Sequence, residues 1–217
     1  MINVRGQELP FSDNKGKQEW YASEPQVLLP ITVLDHIDRL NESGVTGKED
    51  VFWTTLIPAA EELEIETVFD VGGGQGRLAA FWAQLGYTVT SSELIAERTR
   101  LLRESLDSHG FQSVKTITQD IEEANEIGIY DLIFMSDIVE HLINWEETIQ
   151  KVAQSCRYCY MLIPGDDSWN WSPDHLHRFD LEKITKLMNM FDDVEFLLRV
   201  RYDDENYWYS LLMKGFI

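Results

Sequence analysis

In this 217-residue chain the residues able to do chemistry fall into a few short groups. Asp70-Val71-Gly72-Gly73-Gly74-Gln75-Gly76-Arg77 puts a carboxylate at the end of an apolar run and follows it with a glycine-rich turn. Glycine at 72, 74 and 76 lets the backbone turn sharply and approach a ligand that a side chain would hold off. Glu93 and Asp120 are carboxylates at or just beyond the ends of strand-like runs. Ser136-Asp137-Ile138-Val139-Glu140-His141 gathers a hydroxyl, two carboxylates and an imidazole, and His175 and His177 follow in a polar and aromatic loop. An imidazole can take a proton from a reacting alcohol or amine near neutral pH, so His141 is the candidate base, with His175 and His177 competing for the role. Asp137, Glu140 and His141 also bring together donors of the kind a divalent ion uses. Oxygen-rich clusters are usually solvated faces, and spacing assigns no further ligands, so no metal is expected. Cys156-x-x-Cys159 has no second pair to complete a zinc site and lies in a strand-like run rather than before a helix, so two packing residues are expected.

The elements around these groups follow from periodicity. Val68 and Phe69 lead into Asp70 as a strand. Beyond Arg77, Leu78, Phe81, Trp82 and Leu85 recur at i, i+3, i+4 and i+7, a helix that Gly86 can end. Strand, glycine turn, helix is the grammar of a nucleotide site. A dinucleotide fingerprint started at Gly72 needs a small residue where Arg77 stands, and started at Gly73 it fails at Gln75, which disfavours a nicotinamide-dependent oxidoreductase. Neither Gly76-Arg77-Leu78 nor Gly47-Lys48-Glu49 supplies the Gly-Lys-Ser/Thr ending of a phosphate loop. A second strand over 87–92 ends in Glu93, about 20 residues beyond the glycine loop, where an acid takes ribose hydroxyls in doubly wound folds. Leu94 can flank the base.

A helix over 95–108 and a strand over 114–118 lead to Asp120 and Ile121, and a buried strand over 130–135 leads to Ser136. Ligands in open α/β sheets sit beyond the carboxyl ends of the strands, so all these ends face one crevice. Asn144-x-x-Glu147 reads as a capping box for a helix over 145–154, a strand then runs to Ile163, and Asp180 reads as the cap of another helix. Runs over 194–201 and 207–214 predict an antiparallel hairpin. Towards the start, residues 1–26 read as an arm without its own core, lying against the main body. Apolar stripes over 27–40 and 52–63 predict two helices joined through a loop at 41–47.

The length suits one domain, and an apolar fraction of 44% is enough for a substantial core. A formal charge of −20 disfavours a nucleic-acid partner, whose phosphates call for clustered Lys and Arg, and fits a small molecule or a basic partner better. No apolar stretch approaches the roughly 20 residues needed to span a bilayer, and residues 1–10 lack a signal-peptide core, so a cytoplasmic protein without membrane partners is expected.

Acid-x-Gly-x-Gly-x-Gly resembles motif I of the class I S-adenosylmethionine-dependent methyltransferases. Asp137-Ile138-Val139-Glu140-His141 and His175-Leu176-His177-Arg178-Phe179 resemble the acid-x-x-Glu-His and His-x-x-x-Phe segments of a small single-domain subgroup. The resemblance covers about 67–215. It implies an α/β, doubly wound, Rossmann-like fold: a seven-stranded mostly parallel sheet with an antiparallel last strand and helices on both faces. It also implies S-adenosylmethionine as cofactor, held by Asp70, Gly72, Gly74, Gly76, Glu93, Leu94, Asp120, Ile121, Ser136 and Asp137, with Asp120 against the adenine amino group. Glu93 stands where aspartate is commoner, which keeps the carboxylate. Ubiquinone-pathway O-methyltransferases and small-RNA terminal methyltransferases, which share the acid-x-x-Glu-His segment, bind metals in this region. Residues 51–217 are then the methyltransferase domain, and residues 1–50 an N-terminal arm and helix serving as lid and substrate cover. The expected reaction is methyl transfer to an oxygen or nitrogen of a small-molecule acceptor. The rival from another class is a cofactor-binding module that has lost catalysis and regulates a partner.

Overall fold

The fold grows from strands that are apolar on both sides. In a computed structural model that describes residues 11, 13–23, 56–165, 172, 174–201 and 207–217, β1 (Thr67–Val71) and β4 (Tyr130–Ser136) lie side by side at the centre of the sheet. Successive side chains of a strand point to opposite faces. Val68, Leu132 and Phe134 accordingly enter one apolar cluster, while Phe69, Ile133 and Met135 enter the other. Burial on both faces is what a parallel sheet covered by helices requires. The helices expected over 27–40 and at 52–55 and the loop at 41–47 lie outside the described residues.

The remaining elements, in chain order, are α1 (Asn14–Ser23), α2 (Ile57–Glu62), α3 (Arg77–Gln84), β2 (Thr88–Glu93), α4 (Ala96–Ser108), β3 (Lys115–Thr118), α5 (Trp145–Ala153), β5 (Cys156–Pro164), α6 (Leu181–Met188), β6 (Asp193–Arg201) and β7 (Tyr207–Lys214). The sheet runs β3-β2-β1-β4-β5-β7-β6. β1 to β5 pair in parallel, and β7 is inserted antiparallel between β5 and β6. The fold class and the closing hairpin are therefore as the sequence implied. The order reverses between β1 and β4, so the crevice for a ligand opens beyond their carboxyl ends. No described helix is long and apolar enough to cross a membrane.

The glycine turn fits its place sterically. Gly76 holds φ +83° as the residue before α3, and a Cβ there would come within 2.8 Å of Leu106 on α4. Gly72, at φ +70°, passes so close to Ile138 that a Cβ would lie 2.3 Å from its Cδ1. Asp180 caps α6 by accepting from the Lys183 N–H at 2.9 Å, as expected. The capping box at Asn144 is a correction: its side chain makes no cap bond, and its own N–H donates to Glu122 at 2.7 Å instead. The buried carboxylate of Glu122 takes the donor that Glu147 was expected to satisfy. Cys156 and Cys159 are free thiols, fully buried in β5, as packing residues should be.

Candidate active site

A cleft of about 300 Å³ opens at the reversal of strand order. Among its walls are Gly72, Gly74, Glu93, Leu94, Asp120, Ile121, Asp137 and His141. The sequence separates these residues by up to about 70 positions; the parallel sheet brings them together because every strand delivers its carboxyl end to one edge. Asp70, Gly76, Ser136, His175 and His177 do not line it. Asp70 lies beneath the turn, 2% exposed, accepting from the Ser91 hydroxyl at 2.9 Å. Burial pushes its carboxyl up to about 7; the Ser91 bond opposes that rise and the Glu93 charge adds to it. Gly76 is buried under α4, and Ser136 ends β4 partly exposed.

Glu93 fastens the glycine turn to β2. Its Oε1 accepts from the Gly74 N–H at 2.6 Å and its Oε2 from the Leu94 N–H at 3.2 Å. Burial raises its carboxyl above the ordinary value, against the lowering effect of Arg98 and these two N–H groups. Asp120 accepts from the Glu122 N–H at 2.9 Å through Oδ1 and from Gln18 Nε2 at 3.0 Å through Oδ2.

Gln18 belongs to α1, which closes one side of the cleft with Lys17 and Tyr21. Lys17 is 4% exposed, and its Nζ lies 2.7 Å from Glu122 Oε2. Tyr21 donates its hydroxyl to Asp174 Oδ2 at 2.6 Å, and the Arg98 guanidinium stands 4.7 Å over its ring. Lys17, Tyr21, Arg98 and Asp174 are wall residues that sequence reasoning missed. Asp174 stands next to His175, which was singled out, but no spacing rule marked it.

The far end of the cleft holds the imidazole. A short helical turn, Val139–His141, follows β4, and Asp137 enters it at φ +58° with its N–H on the Leu162 carbonyl. His141 Nδ1 lies 3.2 Å from both the Asp174 backbone oxygen and its Oδ2, so Nδ1 carries the proton and Nε2 is left as the acceptor. Burial disfavours the imidazolium, but Asp174, Glu140 and Asp137 outweigh it and hold the imidazole above its ordinary value. Asp174 in turn is held well below the usual carboxylate range: burial would raise it, and His141, Ser172 and Tyr21 overcome that. His175 packs edge-on to His141, with ring centroids 4.7 Å apart. His177 turns away, its Nε2 2.8 Å from the Leu142 carbonyl, and burial lowers its basicity.

Glu140, His141 and His175 present one ligand atom each within 4.8 Å of one another. One oxygen and two nitrogens suit a borderline divalent ion such as zinc. Such an ion on His141 Nε2 would take that nitrogen out of proton transfer.

Residues 32–198 match the family model described as a methyltransferase domain, well over half of the chain. A ubiquinone biosynthesis O-methyltransferase of Rickettsia prowazekii (strain Madrid E) is 21% identical over 141 residues, covering 58% of this chain and 55% of the relative. The chain thus spans about half the length of the curated relative it matches. Among solved structures, a magnesium protoporphyrin IX methyltransferase from Synechocystis PCC 6803 with bound SAH superposes with a TM-score of 0.65 at 16% identity, over 94% of this chain and 100% of that one. An S-adenosylmethionine-dependent methyltransferase from Clostridium acetobutylicum ATCC 824 does so with a TM-score of 0.64 at 14% identity, over 84% and 97%.

Proposed function

The chain belongs to the methyltransferase-domain family, and from that premise we propose that its cleft binds S-adenosylmethionine and passes the methyl group to an oxygen or nitrogen of a small-molecule acceptor. The observation that carries the reading is that one cleft joins a side-chain-free turn, two carboxylates on neighbouring strand ends, and an acid-oriented imidazole. The site fits the cofactor: among the described residues a Cβ added at Gly74 would meet nothing within 4 Å, so the turn faces a cleft that a nucleoside can enter.

S-adenosylmethionine supplies a methyl carbon already activated by its sulfonium, so the protein's work is alignment, exclusion of water and proton transfer. Glu93 accepts from ribose hydroxyls, Asp120 from the adenine amino group, and Leu94 and Ile121 flank the base. Gly72, Gly74 and Gly76 keep the turn close, Asp70 supports it from below through Ser91, and Asp137, just after the Ser136 end of β4, lines the cleft on the cofactor's side. His141 Nε2 takes the proton of the acceptor, while Asp174 on Nδ1 stabilises the imidazolium that forms. His175 packs edge-on beside it. Residues 1–50 serve as the lid, with α1 its described part.

The test is methyl transfer from tritiated S-adenosylmethionine into fractionated small-molecule extracts. Wild-type protein should label at least one fraction, and His141→Gln should cut that labelling at least tenfold while binding S-adenosylhomocysteine within twofold of wild type. Binding without labelling of any fraction would favour the non-catalytic module, and undiminished labelling by His141→Gln would remove the imidazole from the mechanism.

A further inference from the structure

The inference concerns Tyr21 and rests on the reading of His141 as proton acceptor. Helix α1 contributes no side chain to either apolar cluster of the core. Among the described residues, its polar hold on the body runs through Lys17, Gln18 and Tyr21, at i, i+1 and i+4, which reach Glu122, Asp120 and Asp174. A ten-residue helix is marginal alone in water, so α1 is ordered by these polar contacts. Of the three, only Tyr21 reaches the end of the cleft where the imidazole stands.

The Asp174 oxygen that receives the Tyr21 hydroxyl at 2.6 Å is the one 3.2 Å from His141 Nδ1. Its other oxygen accepts from Ser172. Tyr21 and Ser172 therefore fix the plane of the carboxylate that faces the imidazole. Also around His141, among the described residues, are the Asp174 backbone oxygen, 3.2 Å from Nδ1, Glu140, whose Oε1 is 3.8 Å from Nε2, the neighbouring ring of His175, and Asp137. Glu140 is fully buried and attracts the proton to Nε2, the opposite nitrogen. Two carboxylates thus compete for one imidazole proton, and only the Asp174 choice leaves Nε2 able to accept another.

We propose that Tyr21 is a positioning residue: docking of α1 aims Asp174 at Nδ1 of His141, selecting the tautomer whose Nε2 is a proton acceptor. Docking of α1 and readiness of the base are one event, because the same Asp174 oxygen makes both contacts. With α1 undocked, Asp174 Oδ2 loses the donor that orients it, and the pull of Glu140 on a proton at Nε2 gains weight.

The experiment is nitrogen–proton correlation NMR on histidine-labelled, chelator-treated protein with neutral imidazoles, with and without S-adenosylhomocysteine, and with the His141 signals assigned through His141→Gln. Wild type should show His141 mainly as the Nδ1–H form. Tyr21→Phe, which keeps the ring under Arg98 and removes only the hydroxyl, should shift the tautomer ratio at least tenfold towards Nε2–H. Lys17→Met, which loosens α1 while leaving Tyr21 intact, should shift it in the same direction. A ratio within twofold of wild type in Tyr21→Phe overturns the proposal, as does a wild-type imidazole already in the Nε2–H form. Calorimetry with S-adenosylhomocysteine on the same samples keeps the two readings apart: absence of binding sinks the methyl-transfer reading, while the tautomer ratio without ligand still decides the role of Tyr21.

Discussion

Lys17→Met tests how the N-terminal helix is held. The ammonium and the Glu122 carboxylate are 2.7 Å apart, with side-chain exposures of 5% and 1%. Removing one partner of a buried pair costs about 3–5 kcal/mol when the other charge stays buried. Here Glu122 has a second escape, because α1 can lift off and let water reach it. That release breaks the Gln18–Asp120 and Tyr21–Asp174 hydrogen bonds, each to a charged group and worth about 1.5–3 kcal/mol. The two routes cost about the same, so urea unfolding should show a loss of about 3–4 kcal/mol, and a melting midpoint lower by about 6–16 °C. Trypsin should cut at the exposed Lys15 faster than in wild type. Adding Glu122→Gln removes the stranded charge, and the double variant should recover at least about 1 kcal/mol over Lys17→Met alone. A loss below about 0.5 kcal/mol, the scale of an exposed ion pair, with unchanged cleavage at Lys15, would refute the buried latch.

Three further outcomes are expected. Gly76→Ala places a side chain at φ +83° and within 2.8 Å of Leu106, so it should destabilise by about 2–4 kcal/mol in urea; a cost under about 0.5 kcal/mol would mean the turn is not as tight as described. The folded carboxyl of Asp70 keeps its proton up to about pH 7, whereas the unfolded chain releases it near pH 4. Its contribution is therefore complete below about pH 4 and lost as pH rises through 7, so wild type should lose stability relative to Asp70→Asn across that window; a constant difference from pH 4 to pH 8 would contradict this. Cys156 and Cys159, both fully buried, should resist a thiol reagent in the native protein and react once it is unfolded, which absorbance at the reagent's chromophore would follow.

Much of the fold was legible because its signals are local. The alternation that sends Val68 and Phe69 to opposite clusters, the period of Leu78, Phe81 and Trp82, and the placing of Glu93 beyond the glycine turn all lie within short windows. The strand ends then gave half of the cleft, since a parallel sheet gathers them at one edge. The other half was hidden because its contacts are polar and distant in sequence. Lys17 meets Glu122 across 105 positions and Tyr21 meets Asp174 across 153, and no periodicity or motif relates them. The same carboxylate of Glu122 explains the failed cap at Asn144: a local rule lost its donor to a long-range acceptor. Among the histidines, composition could not separate the one beside Asp174 from His177, which bonds a backbone carbonyl; only the packed loop does that.

The most direct measurement of the central claim is calorimetric titration of the protein with S-adenosylmethionine and, in parallel, with NAD. One equivalent of S-adenosylmethionine should bind, Glu93→Ala should weaken it at least tenfold, and NAD should give no heat. No binding of S-adenosylmethionine at millimolar concentration, or equal binding by Glu93→Ala, would contradict the assignment of this cleft.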